Sequence, residues 1–451
     1  MKRIIPYIIS FSTIFFMACK KFVTVPPPQN QLVSSTVFAD ESTATSAVVG
    51  IYSKIMGDGG PLLLSGLATF YPGLSSDELI TTRQDLKPFE SNSLTPGSPA
   101  LLTIWDNGYQ YIFDCNAVLE GLSKNPNISN PVKNQLTGEV KFLRALANFY
   151  LLNLFGDIPL IESTDYTVTK EQSRTKVAAI YSALIQDLND AENLLPDAYP
   201  TDERVRANKS VATALLARVY LFTQDWNKAE EKSSTIIDNT TFRLCMADSV
   251  FLRNSPEAIL QFIPVNLGYT WEAYLIKPGA SSSIPVFQLT DGLISTFDSS
   301  DLRMSNWIGI SNVQGTQYYY PAKYKSTSSK SFLEYYMVLR LGEQFLIRAE
   351  ARAHLNNLPG SEDDLNNLRT RAGIPPVTTA SQDSLLLAIE QERRFELFSE
   401  WGHRWFDLKR TGRAGVVLSM TKPSWSSAAE LYPIPLIEVQ NNPALTQNPG
   451  Y

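Results

Sequence analysis

The chain has 451 residues, 44% of them hydrophobic and 19% charged, a balance that supports a packed core and excludes an intrinsically disordered protein. Its formal charge is −6; removing Lys2 and Arg3 with a leader leaves 37 basic against 45 acidic residues, or −8, and no Lys/Arg run is dense enough to hold phosphates, which excludes nucleic acid as a partner. Only Cys19, Cys115 and Cys245 are present, too few and too scattered for a disulfide framework, so Cys115 and Cys245 are expected as buried free thiols.

Lys2 and Arg3, the apolar run Ile4 to Phe16, and Phe16-Met17-Ala18-Cys19 have the pattern of a bacterial lipoprotein signal. Residues 1–18 are expected to be cleaved and Cys19 to carry lipid. The apolar run is shorter than the roughly 20 residues a spanning helix needs. Residues 19–35 contain Pro26-Pro27-Pro28 and are expected to form a semi-rigid tether, with a single domain over 36–451.

Apolar residues recur at helical spacing over 99–124, 132–155, 175–195, 209–223, 226–238, 335–357, 361–372 and 382–410, which predicts a mainly α-helical protein. Strand-like material is scarce, as at Glu257 to Val265. The stretch 242–332 is rich in Gly, Ser, Pro and aromatic residues without helical period, and predicts long loops with small strands. Leu146-Ala147-x-x-Tyr150 and Leu216-Ala217-x-x-Tyr220 share one spacing, with Ala229 in the following helix; this is the small-residue and tyrosine pattern of tetratricopeptide helix pairs. Further on, Leu397, Trp401, Trp405 and Leu408 form an apolar stripe flanked by charges. Glu390 with Arg394 and Glu400 with Arg404 are expected i,i+4 ion pairs with a structural role.

An enzymatic motif is missing. His354 and His403 are the only histidines, neither has metal-ligand spacing, and no G-x-S-x-G elbow occurs. Neither a cofactor nor a metal is implied, although paired carboxylates for glycoside hydrolysis need no local motif.

Glu139-Val-Lys-Phe-Leu-Arg-Ala-Leu with Leu154-Phe-Gly-Asp-Ile-Pro159, Arg348-Ala-Glu-Ala351 before Leu368-Arg-Thr-Arg-Ala-Gly373, and Glu392 to Arg410 resemble SusD/RagB-type outer-membrane lipoproteins of Bacteroidetes. So do Trp105-Asp-Asn-Gly-Tyr109 with Asn116, and the ending Leu431-Tyr-Pro-Ile-Pro435 to Tyr451. The resemblance implies a scaffold of about four tetratricopeptide-like helix pairs with loops that build a ligand face. It also implies a lipid-anchored protein on the outer surface of the outer membrane, capturing oligosaccharides, or peptides in some relatives, for a SusC-like TonB-dependent transporter. The insertion 242–332 is compact for such a family.

A sugar ring offers apolar C–H faces and hydroxyl edges, so its site needs exposed aromatic rings with polar groups beside them. Trp271, Tyr274, Trp307, Tyr318, Tyr319 and Tyr320 in the central loops are the candidates for stacking. The segment Ser75 to Pro99 resembles the family's second ligand-lining stretch, with Asp77, Arg83 and Asn92 as its polar candidates. A peptide-binding or purely protein-binding tetratricopeptide scaffold is the alternative; it would not need the aromatic insertion.

Overall fold

Short polar side chains and prolines set where the helices begin. Asp40, Asn208, Asp225, Asn357 and Ser381 each accept a backbone N–H from the turn they precede, while Pro99 and Pro131 sit in first turns, where no N–H is required. The computed structural model describes residues 37–57, 59–329 and 332–451; the leader, Cys19 and the tether lie outside the described residues. Twelve helices of eight or more residues occur among the described residues: α1 (Glu41–Ile55), α2 (Leu67–Ser75), α3 (Pro99–Lys124), α4 (Asn130–Phe155), α5 (Val177–Leu194), α6 (Lys209–Phe222), α7 (Trp226–Ile237), α8 (Leu341–His354), α9 (Leu358–Ala372), α10 (Gln382–Leu397), α11 (His403–Arg410) and α12 (Ala414–Thr421).

From α3 to α10 each helix packs on the next, giving the expected tetratricopeptide-like stack. Small residues let the helices approach. Ala147, Ala217 and Ala229 are wholly buried, and a Cβ added at Gly108 would sit 2.7 Å from the Leu151 side chain on the facing helix. Tyr150 and Tyr220 are buried as their spacing predicts, and Arg218 donates to the Tyr150 hydroxyl at 3.1 Å. Cys115 and Cys245 are free thiols, Cys115 buried and Cys245 half-buried.

Two expected helices are divided. Residues 336–340 form a fully buried strand whose apolar side chains face both sides, so periodicity alone reads it as helix. The helix expected over 382–410 breaks at an elbow where Ser399, Trp401 and Gly402 are left-handed, with φ of 51°, 48° and 68°. Trp401 lies 5.1 Å from Tyr150 and 5.0 Å from Tyr336 between ring centroids, and its indole N–H donates to the Met337 carbonyl at 2.7 Å. At Gly402 a Cβ would meet the Ala68 carbonyl at 2.8 Å, so a side chain is sterically excluded there.

The strands are β1 (Leu79–Thr81), β2 (Ala258–Phe262), β3 (Phe287–Leu289), β4 (Ile308–Val313), β5 (Thr316–Pro321) and β6 (Tyr336–Arg340), in three antiparallel pairs β1–β3, β2–β6 and β4–β5. The β2–β6 pair closes the insertion between α7 and α8. Buried ion pairs then fix the insertion to the stack. Glu396 receives Arg340 and Arg371, each at 2.5 Å, and Arg303 at 3.1 Å; Lys323 reaches Glu400 at 2.5 Å, and Arg371 reaches Glu257 at 2.8 Å. Burial opposes ionisation of Glu396, but Arg371, Arg340 and Arg303 overcome it and hold the carboxyl well below its usual range. The expected i,i+4 pairs do not form. Glu400 pairs with Lys323 and Arg340, Glu390 with Arg404 and Arg413, and Arg394 with Asp77, because every one of these side chains points into a junction between elements rather than along its own helix.

Candidate ligand-binding face

Two stretches far apart in sequence meet at β1 and β3. Leu79, Ile80 and Thr81 pair with Leu289, Gln288 and Phe287, and Thr290 extends the ladder by donating its N–H to the Glu78 carbonyl at 2.9 Å and its hydroxyl to the Asp77 carbonyl at 2.7 Å. The Thr81 hydroxyl donates to the Val286 carbonyl at 2.9 Å. The segment 75–99 is thereby held against the central insertion.

The six aromatic candidates separate by environment. Trp307 is 1% exposed and donates its indole N–H to the Ala247 carbonyl at 2.7 Å, with the Lys323 ammonium 4.6 Å from its ring. Trp271 is 7% exposed and donates to the Met56 carbonyl at 2.9 Å. Both are therefore corrected from stacking platforms to anchors, since each indole finds its polar partner in the interior. Tyr274, on the one-turn helix that Trp271 begins, is 54% exposed and stacks on Tyr269 with centroids 6.0 Å apart and planes 23° apart. Tyr269, half-buried, was not among the sequence candidates; its position five residues before Tyr274 in an aromatic loop was the available signal.

Tyr318, Tyr319 and Tyr320 lie half-buried on β5, so alternate rings face opposite sides of the β4–β5 hairpin. Tyr320 lies across Gly309, where a Cβ would overlap its ring. Tyr319 stands opposite the exposed Ile310 and donates its hydroxyl to Gln317 at 2.9 Å. The hairpin is fastened by the Ser311 hydroxyl, which donates to the carbonyls of Ser281 and Ser283 at 2.9 and 2.6 Å.

The polar candidates also differ from one another. Asp77 is buried and binds Arg404 through both oxygens at 2.8 and 3.0 Å and Arg394 at 2.9 Å. Burial would raise its pKa, and the two guanidinium groups reverse that and lower it. Its carboxylate is thus committed to the protein. Asn92 is buried in a left-handed turn with φ of 54° at the wall of a cavity of about 370 Å³. Arg83 is exposed and bound to its neighbour Asp85 at 3.1 and 2.5 Å.

Above Asp77 opens a cavity of about 580 Å³, lined by Ile80, Glu90, Thr290, Met420, Arg394 and Lys422 among others. That size suits a small ligand. Beside it, burial and the adjacent Asp77 push the Glu78 carboxyl up to about 8, and burial pulls the Lys422 amine down to about 8. Among the described residues no group of three or more His, Cys, Asp or Glu could hold a metal ion, and no helix is long and apolar enough to cross a membrane.

Residues 288–451 match the model of the SusD family, and residues 70–221 match that of a family described as starch-binding and associating with the outer membrane. A SusD-like protein, P25, of Formosa agariphila is 25% identical over all of this chain and 99% of its own length. The crystal structure of a SusD superfamily protein from Bacteroides vulgatus, 19% identical, superposes with a TM-score of 0.81 over 92% of this chain and 100% of that one. The structure of a laminarin-binding SusD-like protein, 23% identical, does so with a TM-score of 0.76 over 91% and 100% of the two chains. Two family models thus match separate parts of the chain, a relative of similar length matches all of it, and solved SusD-type structures share its fold, so the chain is similar to SusD/RagB-type proteins from its first helices to its last residue.

Proposed function

We propose that this protein is a non-catalytic oligosaccharide-binding lipoprotein, anchored in the outer membrane through Cys19 and the tether 19–35, that captures a glycan at the cell surface and delivers it to a SusC-like TonB-dependent transporter. The observation that carries the reading is the stacked pair Tyr269 and Tyr274, because a half-exposed ring on a fastened loop offers a sugar an apolar face at little ordering cost. The starch-binding description of one matching family and the laminarin-binding relative support it.

Capture without cleavage fits the histidines. His354 stacks on Trp226 at 3.9 Å, and His403 is buried, its pKa driven far below the usual value by burial and by the nearby Arg218 and Arg393. Neither is poised to shuttle a proton. Calorimetric titration of the mature chain with a panel of oligosaccharides is the test. Binding is expected with products unchanged on chromatography, and Tyr274→Ala should weaken it by about tenfold, the worth of one lost stacking ring. Heat from peptides with none from any glycan would favour the scaffold alternative, and released reducing ends would establish a hydrolase.

A further inference from the structure

The cavity beneath β1 and β3 carries more positive charge than its carboxylates neutralise. Three cations line it, Arg394, Arg404 and Lys422, against two carboxylates, Asp77 and Glu90; Arg394 and Arg404 share Asp77 at 2.9 and 2.8 Å, and Glu90 is already held by Lys87 at 2.8 Å. Burial and the adjacent Asp77 favour the protonated, neutral form of the neighbouring Glu78.

Two of these cations are left with unspent capacity. Lys422 is buried at the cavity wall, and among the described residues its ammonium donates only to peptide carbonyls, those of Leu74 at 2.5 Å and Glu90 at 2.7 Å. An ammonium has three donors, so one stays open. Arg394 is likewise buried, spends one end of its guanidinium on Asp77, and has an Nε with no hydrogen-bond partner among the described residues. A desolvated cation with donors to spare is costly, and burial and the repulsion of Arg404 outweigh the attraction of Asp77 and lower the pKa of Arg394. An anionic group entering the cavity would meet Lys422 and Arg394 together. Ile80 and the strongly exposed Met420 supply apolar surface at its mouth.

We propose that this cavity is an anion subsite, lined by Lys422 and Arg394, that receives a carboxylate or sulfate ester carried on a sugar, so that the captured glycan is acidic. This inference rests on the glycan-binding reading and deepens it. The requirement is chemical: a charge-assisted hydrogen bond to a buried ammonium is stronger than a neutral one and is weakened by salt only in part, because the pair is shielded from solvent.

The test titrates the full mature chain with three probes of matched length: a neutral glucan oligosaccharide, an oligouronide and a sulfated oligosaccharide. One of the acidic probes should bind at least about tenfold more tightly than the neutral one, and which of them does so distinguishes carboxylate from sulfate. Lys422→Gln, which keeps hydrogen-bond donors for both carbonyls but removes the charge, should reduce the ratio of acidic to neutral affinity to near one. Circular dichroism checks that the variant is folded, and Arg394→Gln gives an independent reading if it is not. Equal affinity for neutral and acidic probes, or an unchanged ratio in a folded Lys422→Gln protein, overturns the subsite while leaving glycan capture intact. Failure of every glycan to bind overturns both.

Discussion

The helix stack and the insertion between α7 and α8 reach stability by different means. In the stack, Ala147, Ala217 and Ala229 and Gly108 let helices touch, and burial of Leu, Ile and Val side chains does most of the stabilising. The insertion has short strands, and although Phe287, Leu293 and Trp307 are buried in the common core, it adds a second device. Arg303, Lys323 and Glu257 reach into the charged side of α9, α10 and the elbow. Loops secured at their base by directional ion pairs can leave their rims exposed without losing position, and the Tyr269–Tyr274 pair and the mouth of the Asp77 cavity lie on such rims.

This contrast can be broken at its strongest point first. Glu396→Ala leaves Arg303, Arg340 and Arg371 without their shared carboxylate, and should cost about 3–5 kcal/mol in denaturant unfolding, as expected when one member of a buried ion network is removed. A loss below about 1 kcal/mol would mean that the insertion is held by packing, as the stack is.

The next effect is in pH. Glu272 and Glu78 are buried, and burial pushes both carboxyls up to about 8. The unfolded chain releases these protons near 4.5, the folded protein only near 8, so the folded state binds more protons in that window. Stability should therefore be greatest near the lower end of the window and decline as pH rises from about 5 to about 8. Glu272→Gln, which cannot ionise, should flatten that decline in thermal melts, and an unchanged slope would show that the carboxyl is already ionised. At acid pH the order reverses. Glu396, Glu400 and Asp407 have lowered values, so their contribution is lost as pH falls below their unfolded range.

The smallest effect belongs to the rim. Arg83 pairs with its neighbour Asp85 in solvent, so Arg83→Ala should change stability by less than about 0.5 kcal/mol. Calorimetry on the same variant asks whether the exposed guanidinium touches glycan: retained affinity removes Arg83 from the ligand contacts.

Much of the stack was legible in the sequence because a helix buried on one side imposes its period on many residues at once. The helix over 99–124 is met residue for residue, and the buried positions of Tyr150 and Tyr220 follow from the alanine spacing. Breaks were not legible. Trp401 and Trp405 continue the helical stripe of Leu397 in the sequence, yet the chain turns left-handed between them, because Trp401 is claimed by Tyr150, Tyr336 and the Met337 carbonyl. For the same reason Glu390 and Glu400 looked like local partners of Arg394 and Arg404, and only the three-dimensional junctions reassign them. Ring exposure was the least legible property. Trp307 and Tyr274 sit in similar aperiodic sequence, and the difference is set by a remote carbonyl, that of Ala247, which the sequence does not place near Trp307. α1 was not foreseen, although Ala44, Val48, Ile51, Tyr52 and Ile55 keep a helical period between its Ser and Thr residues.

The antiparallel pairing of β2 with β6 puts the two ends of the chain between Phe262 and Tyr336 side by side. Because closing a longer loop costs only slightly more entropy than closing a shorter one, the outer part of this excursion can grow, shrink or be exchanged while the helices beneath keep their order. The rings outboard of this clasp, Tyr269 and Tyr274 among them, can therefore vary independently of Arg394 and Lys422, which the helical part of the chain carries.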